Sequence, residues 1–244
     1  MPTITVIETG TVPEGQRARH GTYPQMFARA FGAGRPDLAF ETVVAAQETY
    51  PAVETLEAVM ITGSAAGVYE DHAWIAPLSD FVRRVHAAGV PMVGICFGHQ
   101  LVAQALGGVV APSDRGWGIG RHVYRPAAGN GVLDGSEVAL ACSHQDQVLV
   151  LPEGAEVILA SDFTPYAGLL YDNGTTLTLQ PHPEFTVDYA MFCATSRSGH
   201  APDAVVTAAV DSLQRPLDSA AVNGAITRFM TERVGKPAPA REAR

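Results

Sequence analysis

"VPMVGICFGHQLVAQALGG", residues 90–108, decides how the rest of the chain is read. The apolar run ending at Ile95 reads as a buried strand, and "HQLVAQALGG" reads as a helix closed by glycines. Between them, Gly94-Ile95-Cys96-Phe97-Gly98 places a candidate nucleophile between two glycines. In such an arrangement a strained strand-to-helix turn exposes the central side chain at the C-terminal edge of a sheet. Glycines flank it because neighbouring backbone passes too close for a Cβ. The thiol would then lie at a helix N-terminus, whose partial positive charge favours the thiolate. A buried cysteine serving as a small core residue fits the same five residues equally well. A base elsewhere in the chain must decide between the two.

Working outward, short apolar runs at 3–8, about 39–45, 58–62 and 90–95 alternate with amphipathic stretches. Before the last run, Pro77 opens a helix on which Leu78, Phe81, Val82 and Val85 share one face. This alternation predicts an α/β fold with an open, mainly parallel central sheet and helices on both faces. The second half changes to short β-like runs near 119–125, 137–142, 156–160, 166–171 and 175–180. Antiparallel hairpins follow from the turn residues between them, for instance "DNG" at 172–174. Helical pattern returns at 186–196, 202–213 and 218–233. We expect a single domain over 1–235 and a flexible tail at 236–244.

Composition narrows the function. With 244 residues, 47% hydrophobic and 17% charged, the chain can bury a full core. No basic stretch precedes the first apolar residues, and the most apolar window, 87–112, is broken by His99, Gln100, Gln104 and prolines. Neither a secretory leader nor a membrane span is expected. Three cysteines, Cys96, Cys142 and Cys193, are too few for a disulfide framework or a four-thiolate zinc site. The expectation is a cytoplasmic protein without metal or cofactor. A net charge of −9 without a basic cluster argues against nucleic-acid binding. The only lysine is Lys236, which excludes a lysine-dependent phosphate loop or Schiff-base chemistry in the body of the chain.

The base is sought in "LQPHPEF", residues 179–185. In an extended segment His182 and Glu184 project to the same side, and Pro181 and Pro183 keep the chain out of helix. A carboxylate so placed can orient an imidazole and stabilise its protonated form. Acyl transfer also needs donors for an oxyanion. The N–H of Phe97 follows the nucleophile, and "ITGSAAGVYE", residues 61–70, can present N–H groups of Gly63 or Ser64 at another strand end.

In order along the chain, "GSAAGVY", "GICFGHQLVAQALGG", "SHQDQV" and "PHPEF" resemble the class I, triad-type glutamine amidotransferases. They are most similar to the glutaminase part of GMP synthase and its stand-alone relatives. The resemblance implies a flavodoxin-like fold with an added antiparallel β-hairpin region. It also implies hydrolysis of the glutamine side-chain amide through a γ-glutamyl thioester on Cys96. His182 would shuttle the proton and Glu184 would orient it. Gln100 and the segment Ser143, His144, Gln145 and Asp146 would grip the amino-acid end of the substrate, and Tyr69 would border the pocket. Ammonia would pass to a separate synthetase subunit, since no synthetase motif is present. Two departures stand out: Gly63-Ser64-Ala65 replaces Gly-Gly-Pro, and Ser-His-Gln-Asp replaces Ser-His-Gly-Asp. The latter also resembles plant enzymes that cleave γ-glutamyl peptides, which leaves the acyl donor open.

Three rivals rank lower. A dienelactone-hydrolase-like enzyme places its acid well before its histidine. A metal site of Cys96, His99 and His182 gives the elbow glycines no purpose. A non-catalytic binding or regulatory subunit would have lost its nucleophile or base, and neither is missing here.

Overall fold

A computed structural model describes residues 1–133, 135 and 137–236. Of the tail expected at 236–244, residues 237–244 lie outside the described residues. Strand β1 (Thr3–Glu8) leads through α1 (Glu14–His20) and α2 (Tyr23–Phe31) to β2 (Ala39–Val44) and β3 (Ala58–Ile61). Then come α3 (Ile75–Ala87), β4 (Met92–Ile95) and α4 (Phe97–Ala105). Seven strands follow: β5 (Val109–Pro112), β6 (Gly118–Pro126), β7 (Val138–His144), β8 (Asp146–Val150), β9 (Ala155–Ala160), β10 (Gly168–Tyr171) and β11 (Thr176–Leu179). The chain then forms α5 (Val187–Thr195), α6 (Asp203–Ser212) and α7 (Ser219–Thr231).

Nine strands form one sheet in the order β2-β1-β3-β4-β11-β10-β9-β6-β7. From β2 to β11 every pairing is parallel, and from β11 to β7 every pairing is antiparallel. The α/β reading with a parallel centre and helices on both faces therefore holds. The antiparallel region extends the same sheet and is larger than the expected hairpin. Its hairpin at "DNG" joins β10 to β11, with Asn173 Oδ1 accepting the N–H groups of Thr175 and Thr176 at 3.0 Å each.

The two-residue period of the central strands explains why both faces are covered. Ile4, Val6, Met60, Val93 and Ile95 face α2 and α7, whereas Ile7, Val59, Ile61 and Met92 face α3 and α4. Helix α3 begins two residues before Pro77, which is tolerated because first-turn N–H groups have no helical acceptor. A third apolar cluster lies under α5 and α6 and includes Ile119, Ala141, Phe185 and Tyr189. The N-terminal helices were not anticipated, although Thr22 and Gln25 form a reciprocal capping box at α2. No described helix is long and apolar enough to cross a membrane.

Candidate active site

Parallel strands present ligands at their C-terminal ends, and the ends of β1, β3, β4 and β11 meet at Cys96. This cysteine alone makes the turn from β4 to α4, with φ 54° and ψ −102°. Positive φ is uncommon for a residue with a Cβ, and strain of this kind costs on the order of 1–3 kcal/mol. Two hydrogen bonds fix it: Cys96 N–H donates to the Leu179 carbonyl at 2.8 Å, and Gln100 N–H to the Cys96 carbonyl at 3.0 Å. Both glycines are required by close approach. A Cβ on Gly94 would stand 2.5 Å from Gly98 O, and one on Gly98 would stand 2.6 Å from Ile61 O. The Phe97 N–H opens α4, where no helical carbonyl can accept it.

His182 lies within hydrogen-bond reach of Cys96. Its Nδ1 meets Glu184 Oε1 at 2.7 Å, and the Glu184 side chain is only 1% exposed. The imidazole is held three further ways. The His182 backbone N–H donates to Ala141 O at 2.8 Å, Phe185 stacks on the ring at 3.9 Å, and α7 grips the loop through Asn223 Nδ2 donating to Pro183 O at 3.0 Å. The expected extended course of this segment is corrected: the chain turns at Pro183-Glu184, with Phe185 N–H directed to His182 O at 3.4 Å. The turn folds the carboxylate back on its own histidine, contact that an extended chain of the same spacing would not give. Burial works against a charged His182, but the Glu184 carboxylate and then Cys96 outweigh it and raise its pKa to about 10. A protonated imidazole beside the sulfur is the partner that a thiolate needs.

Gly63 fills the gap beside these groups, since a Cβ there would lie 3.2 Å from His182 Cε1 and 3.7 Å from Cys96 Cβ. Its carbonyl turns away toward β1. Thr9 Oγ1 donates to it at 3.2 Å and Thr62 Oγ1 at 3.1 Å, while Thr9 N–H donates to Thr62 Oγ1 at 3.0 Å. Gly10 permits the approach, because a Cβ there would be 2.9 Å from both Gly63 O and Ser64 Cα. Thr9 and Gly10 were missed in the sequence. Their signal is the repeated Thr-Gly at 9–10 and 62–63, which ends two neighbouring parallel strands.

A cleft of about 210 Å³ opens over Cys96. Ser64, Tyr69, Gln100 and residues 143–146 line it together with Cys96, so every expected substrate-contact residue lies in the same cleft. Tyr69 OH donates to Asp146 Oδ2 at 3.0 Å and Gln100 Nε2 donates to the Asp146 carbonyl at 2.9 Å, joining three segments into one wall. Burial raises the Asp146 pKa, with the Tyr69 hydrogen bond opposing. The Cys96 sulfur lies 4.0 Å from Ser143 O. Burial pushes His99 and His144 down to about 3 and keeps both neutral, and His99 Nδ1 is engaged by Thr178 Oγ1 at 2.8 Å. No group of three metal-ligating side chains is assembled among the described residues. Trp117 and Arg197, neither singled out from the sequence, also line the cleft.

The family model described as "Glutamine amidotransferase class-I" matches residues 28–190. A glutamine amidotransferase-like protein of Schizosaccharomyces pombe is 32% identical over 58% of this chain and 57% of that protein. Gamma-glutamyl peptidase 4 of Arabidopsis thaliana is 29% identical over 72% of this chain and 74% of the peptidase. A GMP synthase [glutamine-hydrolyzing] of Aquifex aeolicus is 35% identical over 52% of this chain but only 24% of the synthase. This chain thus spans little more than half of the yeast relative and about a quarter of the synthase. A solved glutamine amido transferase from Methylobacillus flagellatus shares the fold at TM-score 0.77, covering 100% of both chains with 18% identity. The chain belongs to the class-I glutamine amidotransferase family.

Proposed function

We propose that this chain cleaves the amide of a γ-glutamyl compound, glutamine in the simplest case, through a thioester on Cys96. The observation that carries the reading is the buried His182, oriented at 2.7 Å by Glu184 and within reach of a cysteine on a strained elbow. With the proton of the Cys96–His182 pair already on His182, the sulfur attacks the γ-carbonyl carbon, whose electron pair moves onto oxygen. The N–H of Phe97 and that of Gly63 or Ser64 hold this oxyanion. Ser64 suits the second position better, because the hydroxyls of Thr9 and Thr62 turn the Gly63 carbonyl away and a trans peptide points the next N–H oppositely. The carbon–nitrogen bond then breaks as His182 gives its proton to the leaving nitrogen. Water, deprotonated by His182, attacks the thioester and releases glutamate and the free thiol. Gln100, Ser143, His144, Gln145, Asp146 and Tyr69 hold the glutamyl part.

With glutamine the leaving group is ammonia, available to a separate synthetase partner. A γ-glutamyl peptidase reading is favoured by the longer likeness to the Arabidopsis peptidase, which extends over most of both chains. Purified protein incubated with glutamine and with γ-glutamyl dipeptides, with glutamate measured, tests the chemistry. Cys96→Ala is expected to remove all turnover while the fold remains. Turnover persisting in that variant would overturn the mechanism.

A further inference from the structure

The cleft has a second wall, made by Trp117 and Arg197. The Arg197 Cζ lies over the Trp117 ring, 4.3 Å from its centre. Unlike Arg19, Arg35, Arg83 and Arg125, it has no acidic partner among the described residues, and its Nε is buried without a hydrogen bond. A guanidinium without an acidic partner, set over an aromatic face, is a ready donor to a carboxylate. Its position identifies which carboxylate. Arg197 follows α5, and Trp117 packs in the apolar cluster that contains Phe185 and Tyr189. Phe185 stacks on His182, so this wall shares its packing with the proton donor. Tyr69, Gln100 and Asp146, assigned to the glutamyl part under the proposed function, are tied to one another by hydrogen bonds and not to this pair.

The leaving nitrogen departs toward His182, which supplies its proton, and whatever that nitrogen carries extends along the Trp117 and Arg197 wall. Ammonia offers a guanidinium nothing to bind, whereas the amino acid released from a γ-glutamyl dipeptide carries a carboxylate. We propose that Arg197, stacked on Trp117, is a specificity-determining residue that binds a leaving-group carboxylate and makes γ-glutamyl dipeptides the preferred substrates. The assignment rests on the γ-glutamyl reading above.

The test compares γ-glutamylglycine with γ-glutamylglycinamide, which differ in the charge of the leaving group. The wild-type kcat/KM should favour the acid by about tenfold or more, the scale of a charge-assisted hydrogen bond, with the difference mainly in KM. Arg197→Gln should bring the ratio near one, and Arg197→Lys should retain part of it. Equal wild-type rates on the two compounds would overturn the assignment. So would an Arg197→Gln variant that loses equally on both, because the arginine would then serve the glutamyl end or the fold. Failure of the wild type to cleave either compound or glutamine, or turnover surviving in Cys96→Ala, would sink the parent reading instead.

Discussion

Gly98→Ala is the sharpest probe of the elbow, because one methyl group is placed against backbone that cannot yield. The new Cβ would lie 2.6 Å from Ile61 O and 3.0 Å from Ile61 Cβ. That is about 0.8 Å inside ordinary contact, on the repulsive side of the van der Waals well. Ile61 belongs to β3, locked between β1 and β4 by parallel pairing, so the start of α4 must move instead. Overpacking of this size costs roughly 1–3 kcal/mol of stability. For a domain of this size that lowers Tm by about 2–4 °C per kcal/mol.

The catalytic cost is larger. Cys96 and the Phe97 N–H lie within two residues of the new methyl, and a shift of about 0.8 Å stretches an oxyanion hydrogen bond of about 2.9 Å beyond useful length. Loss of one such donor lowers kcat by about 10²–10³. Steady-state release of glutamate should therefore show kcat down by about that factor while KM changes little, since the glutamyl wall is untouched. A folded Gly98→Ala protein with kcat within about threefold of wild type would refute the reasoning. It would mean that α4 can yield without moving the reacting atoms.

Further predictions follow from the base and from the loop beside it. Glu184→Gln removes the main interaction holding the His182 pKa up, so burial should bring it below its present value of about 10. Because the folded-state pKa is raised, the charged His182 contributes stability in full below about pH 6.5, and that contribution is lost as pH rises toward about 10. Urea unfolding at pH 6 and pH 10 should show this loss in wild type and a smaller one in Glu184→Gln; equal losses would refute the Glu184 effect. The same variant should retain more activity than His182→Ala, since orientation is a smaller contribution than proton transfer. Thr9→Val removes one of two hydroxyls holding the Gly63 carbonyl and should lower kcat by roughly tenfold at constant KM. Thr9→Ser should restore it, and failure to do so would assign the effect to packing.

Legibility in the sequence followed the range of the interactions. The elbow is local: within five residues it carries both glycines and the candidate nucleophile, and the strand and helix that aim it adjoin directly. His182 and Glu184 were readable as a pair for the same reason, although the turn that joins them was not. Thr9 and Gly10 act on a loop more than fifty residues away, and their Thr-Gly becomes a signal only when paired with the second Thr-Gly at 62–63 across two strands not known in advance to be neighbours. Arg197 and Trp117 meet across the fold from the α5 end and the loop before β6, with no periodicity that links them. Strands β5 and β8 were missed because their pairing, Val110 with Val148 for example, reaches across β6 and β7, which lie between them in the chain.

The antiparallel half of the sheet follows as part of the site. His182 follows the parallel strand β11, but its N–H is taken by Ala141 of β7, a strand at the far end of the sheet order. The same strand carries Ser143, whose carbonyl faces the sulfur, and runs into the 143–146 segment of the cleft. For β7 to reach β11 while lying four positions from it, the sheet must curl back on itself across β10, β9 and β6. The β6–β9 junction is only two residue pairs long, Arg125 with Ala160 and Pro126 with Leu159, after which β6 continues with β7 alone. That short junction lets β6 and β7 swing away from the sheet and close over the C-terminal ends of β4 and β11. The parallel half thus presents Cys96, the proposed nucleophile, and the curl of the antiparallel half supplies the backbone that fixes His182, the proposed base, and one edge of the cleft.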